Sequence, residues 1–241
     1  MKENIVICPV YNEGKTIYNF YQNLREYFSD DIVFIDDGST DNSQKILHTV
    51  RDNNTFILSY TTRQGYGAAL NLGFTFALDH GYKRMVTIDA DLQHDPKQVP
   101  EFINELMNTT VVLGSRYLKG SFYGNIPRDR FIINRYISRL LKNVFSFNCS
   151  DPFCGLRGYN KSFLEMTHFN EKSYGLGLEI LMEMIRNDTP FKEIYIEAVY
   201  VNPEKTFLDG LDDSKIRLLY YLNVISQKKR MIEYEKKVFI C

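Results

Sequence analysis

Through the first 115 residues, short unbroken apolar runs alternate with stretches whose apolar positions recur every three or four residues. The unbroken runs are "NIVIC", "DIVFID", "TFILSY", "RMVTID" and "TTVVLGS". A strand covered on both faces needs no polar alternation, so each reads as a buried strand of a parallel sheet. In "GKTIYNFYQNLREYF", Ile17, Phe20, Tyr21 and Leu24 fall on one helical face. "DNSQKILHTVRD" is a second helix, with Thr40 or Asp41 placed to cap it. "GAALNLGFTFALDHG" is a helix of small residues that Gly81 ends. Asp95 ahead of Pro96 caps a further helix in "PKQVPEFINEL". Strands alternating with helices predict an α/β chain on a mostly parallel, Rossmann-like sheet with right-handed crossovers.

The second half has a different rhythm. "RDRFIINRYISRLLKNVF" is a long basic amphipathic helix, and "DPFCGLRGY" reads as a turn region. Two shorter helices are expected around Ser162 to Thr167 and Gly177 to Asn187. "FKEIYIEAVYV" alternates like a strand, and Gly210 to Lys237 reads as a basic amphipathic terminal helix. No repeat, low-complexity tract or linker separates the halves, so they are expected to share one sheet.

The totals narrow the function. Across 241 residues the net charge is -1, which argues against a general nucleic-acid binder. The balance is uneven, because Ser214 to Cys241 holds seven Lys/Arg against two Glu. "IVICPV" is too short for a secretory leader, and no apolar run approaches the roughly 20 residues of a membrane span. Cys8, Cys149, Cys154 and Cys241 form no CxxC pair, so reduced thiols in a cytoplasmic protein are the simplest reading.

Ligands of open α/β sheets bind at the carboxyl ends of the strands. Each unusual polar cluster lies at such an end: "PVYNE", "DDGSTD", "DADLQHD" and "GSR". Asp89 and Asp91 are two apart, which at a strand end puts both carboxylates on one side. Close carboxylates repel unless a cation lies between them. Mg²⁺ or Mn²⁺ suits the place, since it takes one or two carboxylates plus phosphate oxygens and water. Gln93 has the same parity and adds an amide oxygen. The bland alternative, an acidic loop or helix cap, suits Asp95 better than the other two. Asp37 can accept a hydrogen bond from a ribose or base, or it can serve a turn whose positive φ Gly38 supplies. Arg63 can meet a diphosphate, whereas Gly67, Ala68, Ala69 and Gly73 read as close packing of a helix on the sheet.

In this order, "CPVYNEGKTI", "DDGSTDNS", "RQGYGAALNLGF", "DADLQHDP" and "GSR" resemble the inverting family 2 glycosyltransferases of the type A fold. The resemblance covers residues 4 to 118. It implies a nucleoside-diphosphate sugar as donor and a metal on Asp89-Ala90-Asp91, with nucleotide contacts from Pro9, Tyr11, Glu13 and Asp37. "PRDRFIINR", "DPFCGLRGYNKSFLE", "GLEILME" and "DDSKIR" are similar to the dolichyl- and polyprenyl-phosphate sugar transferases. That likeness implies that Gln93 helps bind the metal and that Arg116 and Arg130 meet an acceptor phosphate. Asn134 departs from the pattern, where Ser is usual, and "CGLR" replaces "SGFR". The implied organisation is a donor half at 1–118, an acceptor half at 119–205 and a helical segment at 206–241.

Acceptor chemistry points the same way. A sugar hydroxyl needs a general base, whereas a phosphate is already ionised near neutral pH and needs cations to hold it. Arg116, Arg128, Arg130, Arg135 and Arg139 lie in the right part of the chain. For Arg128, Arg135 and Arg139 a solvated helix face is the better reading. Should the acceptor be a glycan hydroxyl in surface polysaccharide synthesis, Asp151 and Glu179 are the candidate bases. A sugar-1-phosphate nucleotidyltransferase would open with a basic Gly-rich loop, which "CPVYNEG" is not. The basic terminal helix has three candidate partners: an anionic bilayer at the inner face of the membrane, its own domain, or a second subunit.

Overall fold

A computed structural model describes residues 3–118, 126–197 and 207–238. The five apolar runs become β1 (Asn4–Val10), β2 (Asp31–Asp36), β3 (Thr55–Ser59), β4 (Arg84–Thr87) and β5 (Val111–Ser115). With β6 (Arg157–Asn160) and β7 (Phe191–Tyr195) they form one sheet in the order β3-β2-β1-β4-β6-β5-β7. The halves thus share one sheet. Helices α1 (Ile17–Tyr27), α2 (Ser43–Val50) and α4 (Val99–Glu105) cover one face. The other face is covered by α3 (Tyr66–Asp79), α5 (Arg128–Phe145), α6 (Lys161–Met166), α7 (Leu176–Arg186) and α8 (Ser214–Val238). Both faces being covered explains the unbroken apolar runs. In β1, Ile5 and Ile7 enter one core while Val6, Cys8 and Val10 enter the other.

The turn read into "DPFCGLRGY" needs correcting. Its last three residues begin β6, which runs antiparallel between β4 and β5; the other described pairings are parallel. The strand escapes pattern reading because it is four residues long and opens on a buried arginine. Gly158 also leaves no apolar mark, yet a Cβ there would come within 3.0 Å of Leu106 Cδ1.

Local signals mostly hold. Asp95 Oδ1 accepts from Lys97 N at 3.0 Å, capping the single turn Pro96–Gln98 ahead of α4. The second helix starts at Ser43 with Asn42, not Thr40 or Asp41, at its N-cap position; Asp41 Oδ1 accepts from Ser43 N at 2.8 Å from just outside the helix. Gly81 closes α3 at φ +76°. Cys8, Cys149 and Cys154 are free thiols. Of "FKEIYIEAVYV", residues 198 onward lie outside the described residues.

Gly73 faces the sheet where α3 crosses β1, and a Cβ there would lie 2.3 Å from Ile7 Cγ2. Gly73→Ala is expected to destabilise the fold by about 1–3 kcal/mol through overpacking. A lowered urea midpoint at unchanged slope is the readout.

The terminal helix lies on its own domain. Tyr221, Val224, Ile225 and Ile232 of α8 join the core that α7 helps to build. Lys228 Nζ reaches Glu179 at 2.8 Å and Glu183 at 2.9 Å, both buried carboxylates. Among the described residues, no helix is long and apolar enough to cross a membrane.

Candidate active site

A cavity of about 700 Å³ lies along the carboxyl ends of the strands, and the residues expected to hold donor, metal and acceptor phosphate line it, whereas Asp151 and Glu179 do not. Pro9, Tyr11 and Glu13 come from the end of β1 and the loop after it. Asp37 follows β2, Arg63 precedes α3, and Asp89, Ala90, Asp91 and Gln93 follow β4. Arg116 follows β5, and Arg130 stands in the first turn of α5.

The first two loops are stapled together. Asn12 turns the chain at φ +56°, a conformation Asn tolerates. Its Oδ1 accepts from Thr40 N at 2.8 Å, while its own N–H donates to Ser39 Oγ at 3.0 Å. Glu13 N donates to Ser43 Oγ at 2.8 Å. "PVYNE" and "DDGSTDNS" are therefore one interlocked unit.

Asp37 is buried at the end of β2. It accepts from Gln64 N at 2.6 Å and Gly65 N at 2.9 Å, and lies 3.9 Å from Arg63 Nε. It ties the Arg63 loop to the sheet while still lining the cavity. The turn reading holds, since Gly38 has φ +70° and a Cβ there would strike Thr62 backbone at 2.6 Å. Arg63 forms an ion pair with Asp209 and stands over Tyr11, 5.1 Å from the ring centre.

The acidic loop does not follow strand parity. β4 ends at Thr87, and Leu92 adopts φ +62°. A turn, not a pleated strand, carries Asp89, Asp91 and Gln93, and all three line the cavity; Asp91 Oδ1 accepts from Gln93 N at 3.0 Å. Such a backbone persists in a non-glycine residue only where surrounding contacts enforce it. Tyr66 Oη donates to Asp89 Oδ1 at 3.1 Å. Burial and then the Asp89 charge push the Tyr66 phenol well up, so it stays a neutral donor.

The donor set fits a hard divalent cation. Among the described residues no group of three or more His, Cys, Asp or Glu is arranged to hold a metal. An oxygen site of two carboxylates and one amide is the kind that ligand phosphates complete. Two further observations fit. Gly155 leaves a cradle against Asp89, because a Cβ there would lie 2.3 Å from Asp89 Oδ2. Buried His94 points Nδ1 toward the same oxygen at 3.9 Å, without a hydrogen-bond partner. Burial pushes its pKa down to about 4, so the imidazole is neutral beside the acids. Gly155→Ala is expected to displace Asp89 and weaken Mn²⁺ binding by tenfold or more, on the order of 1.4 kcal/mol, measured by Mn²⁺ titration with magnetic resonance detection.

The cavity is also lined by cations. Arg116 pairs with buried Asp151 through Nε at 2.6 Å and Nη2 at 2.8 Å. Asn134, the departure from the family pattern, donates Nδ2 to Asp151 Oδ1 at 2.7 Å. Burial opposes ionisation of Asp151, but the Arg116 charge and these hydrogen bonds hold its carboxyl below the usual range. Phe207 lies between two guanidiniums, 4.7 Å from Arg130 and 4.3 Å from Arg217. Glu179 accepts from Asn170 N at 3.1 Å and Glu171 N at 2.8 Å, besides its pair with Lys228. Asp151 and Glu179, the bases suggested for a hydroxyl acceptor, are thus scaffold groups and stand behind the cavity wall.

Pattern reading missed several wall residues. Tyr66 and Tyr174 stack with centroids 5.8 Å apart, and His94 lies 3.8 Å from Cys154 Sγ. Single aromatics in a loop or at the first position of a helix carry no spacing signal. Arg157 was equally silent; it donates to the carbonyls of Pro152, Cys154 and Gly177 and wires the loop before β6.

A mostly parallel α/β sheet with one antiparallel strand and a polar cavity across its carboxyl ends fits the type A fold of sugar-transferring enzymes. The chain belongs to glycosyl transferase family 2, whose model matches residues 5–167, and it is a glycosyltransferase. It is 28% identical over 201 residues to the undecaprenyl-phosphate mannosyltransferase of Micrococcus luteus, covering 81% of this chain and 83% of that one. It is equally 28% identical over 213 residues to the UDP-N-acetylglucosamine–dolichyl-phosphate N-acetylglucosaminyltransferase of Methanococcus voltae, covering 81% and 85%. The fold matches the crystal structure of glucosyl-3-phosphoglycerate synthase from Mycobacterium tuberculosis in complex with Mn²⁺, UDP and glucosyl-3-phosphoglycerate. That TM-score is 0.73 at 17% identity, over 94% of this chain and 80% of that one.

Proposed function

We propose that the enzyme moves a sugar from a nucleoside-diphosphate sugar to a polyprenyl (dolichyl-type) phosphate, inverting the anomeric carbon. The observation that carries this is one cavity lined both by the acidic Asp89 and Asp91 and by the cationic Arg116 and Arg130. The names of the two relatives, which act on lipid phosphates, support the acceptor. Residues 1–118 serve as the donor half, 119–205 as the acceptor half and 206–241 as the closing helical segment. The working place on this reading is the cytoplasmic membrane face, where a soluble donor meets a lipid acceptor.

Pro9, Tyr11, Glu13 and Asp37 hold the nucleoside, and Arg63 meets the diphosphate. Asp89, Asp91 and Gln93 would hold Mg²⁺ or Mn²⁺. When bound, the ion acts as a Lewis acid and template that offsets charge on the leaving diphosphate. Arg116 and Arg130 orient the acceptor so that a phosphate oxygen attacks the anomeric carbon opposite the departing oxygen. The acceptor is largely ionised at neutral pH, its second pKa being about 6, so no residue need remove a proton. Asp151 and Asn134 keep Arg116 aimed. Positioning and charge stabilisation supply the rate.

A thermal-shift panel of nucleoside diphosphates tests the donor side, because binding to the native state raises stability as ln(1 + [L]/Kd). At least one diphosphate should raise the melting temperature more with Mn²⁺ than without, and Asp91→Asn should erase the Mn²⁺ increment. If no nucleoside diphosphate shows a Mn²⁺-dependent increment, the proposal fails.

A further inference from the structure

Helix α5 turns Arg130, Ile133 and Asn134 to the cavity and carries its other cations on the opposite face. Arg128, Arg135, Arg139 and Lys142 are exposed, spaced so that they form one stripe. Ile132 and Tyr136 stand among them, 54% and 49% exposed. The helix has one acidic residue, Asp129, and it is engaged by Arg217.

Helix α8 has a matching free stripe. Ile216, Leu219, Asn223, Gln227, Met231 and Tyr234 recur every three or four residues and are all exposed; Leu219 is 67% and Tyr234 70% accessible. Lys215, Arg230 and Glu233, also exposed, border it, and Glu233 is paired with Lys229. The opposite face is the one packed into the core. The Asp129–Arg217 pair joins the first turns of the two helices beside Arg130, so both stripes start at the cavity.

Charge is segregated to match. Helix α5 has five Lys/Arg against one Asp, and α8 has seven against two Glu, +4 and +5 in a chain of net -1. The rest of the molecule therefore carries -10. A merely solvated face does not need large apolar side chains set between its arginines. Cations interleaved with apolar groups, without exposed acids on α5, complement a surface whose outer layer is anionic and whose next layer is hydrocarbon.

We propose that the outer faces of α5 and α8 form a docking surface for an anionic lipid bilayer. Docking there sets the cavity, at the shared start of the two helices, beside the headgroup layer. Why such a surface is useful rests on the lipid-phosphate acceptor proposed above; the binding itself does not.

Flotation of the full chain with vesicles tests it. Vesicles of two parts phosphatidylcholine to one part phosphatidylglycerol should carry the protein up the gradient at about 0.1 M salt, and phosphatidylcholine alone should not. Raising salt to about 0.5 M should release it, because screening shortens the reach of the charges. The variant R128E/R135E/R139E, which changes no residue lining the cavity, should bind anionic vesicles on the order of a hundredfold more weakly. Its melting temperature and its transfer to a short, water-soluble polyprenyl phosphate should match the parent. Failure to float, equal floating with neutral vesicles, insensitivity to salt or full binding by the variant would each overturn the proposal. A dimer that the variant dissolves, seen by light scattering without vesicle binding, would do so in favour of a second subunit. Should the variant misfold, the salt and lipid comparisons on the parent chain still decide. If the parent chain fails to bind vesicles but transfers to the short acceptor, the surface alone is sunk; if the parent chain binds vesicles without that transfer, the acceptor reading alone is sunk.

Discussion

Asp91→Asn should lower turnover by about a thousandfold or more while leaving stability within about 0.5 kcal/mol of the parent. The asparagine keeps an oxygen to accept from Gln93 N, the hydrogen bond that shapes the turn. It loses the charge that a divalent cation needs as counter-ion. Charge developing on the leaving diphosphate would then meet no offset, and Lewis-acid stabilisation is worth several kcal/mol. Initial rates at saturating donor, with a urea melt of the same sample, are the measurements. Near-parent activity in the presence of metal would remove Asp91 from the site.

Asp151→Ala has the largest effect expected on stability, a loss of about 3–5 kcal/mol. The carboxylate is fully buried and Arg116 is 14% exposed, so removing one partner leaves a charge with little water to solvate it. Activity should fall as well, since Arg116 loses the group that aims it. The pair also predicts a pH dependence. The folded pKa of Asp151 is depressed, so its contribution is fully present above the unfolded value near 4. That contribution is lost as pH falls through the folded value. Urea midpoints from pH 7 down to pH 3 should drop more steeply for the parent than for Asp151→Asn on the acid side of pH 4. Parallel curves would show that the pair does not couple to folding.

The α/β plan was readable because both sheet faces are covered, which leaves unbroken apolar runs at β1 to β5. The acidic loop was readable as charge gathered at a strand end. What escaped depends on contacts between distant segments. Strand β6 opens on a buried arginine satisfied by three carbonyls, and nothing in "GLRGY" announces those partners. Leu92 carries no mark of its positive φ, so spacing alone suggested a pleat where there is a turn. Asp151 and Glu179 looked like bases because a sequence does not reveal which carboxylates are already committed to Arg116 and Lys228. For Arg128, Arg135 and Arg139 the helical spacing was legible; which face of α8 stays exposed was not.

The central claim is that the acceptor oxygen belongs to a phosphate. The most direct test offers the enzyme a short polyprenyl phosphate together with a panel of saccharides. The donor is a nucleotide sugar chosen by the thermal-shift panel, and the products are followed by phosphorus-31 magnetic resonance and mass spectrometry. The expected result is conversion of the phosphomonoester signal to a phosphodiester, with the sugar joined through its anomeric carbon and the saccharides unchanged. A sugar attached to a saccharide hydroxyl, with the phosphomonoester intact, would contradict the account.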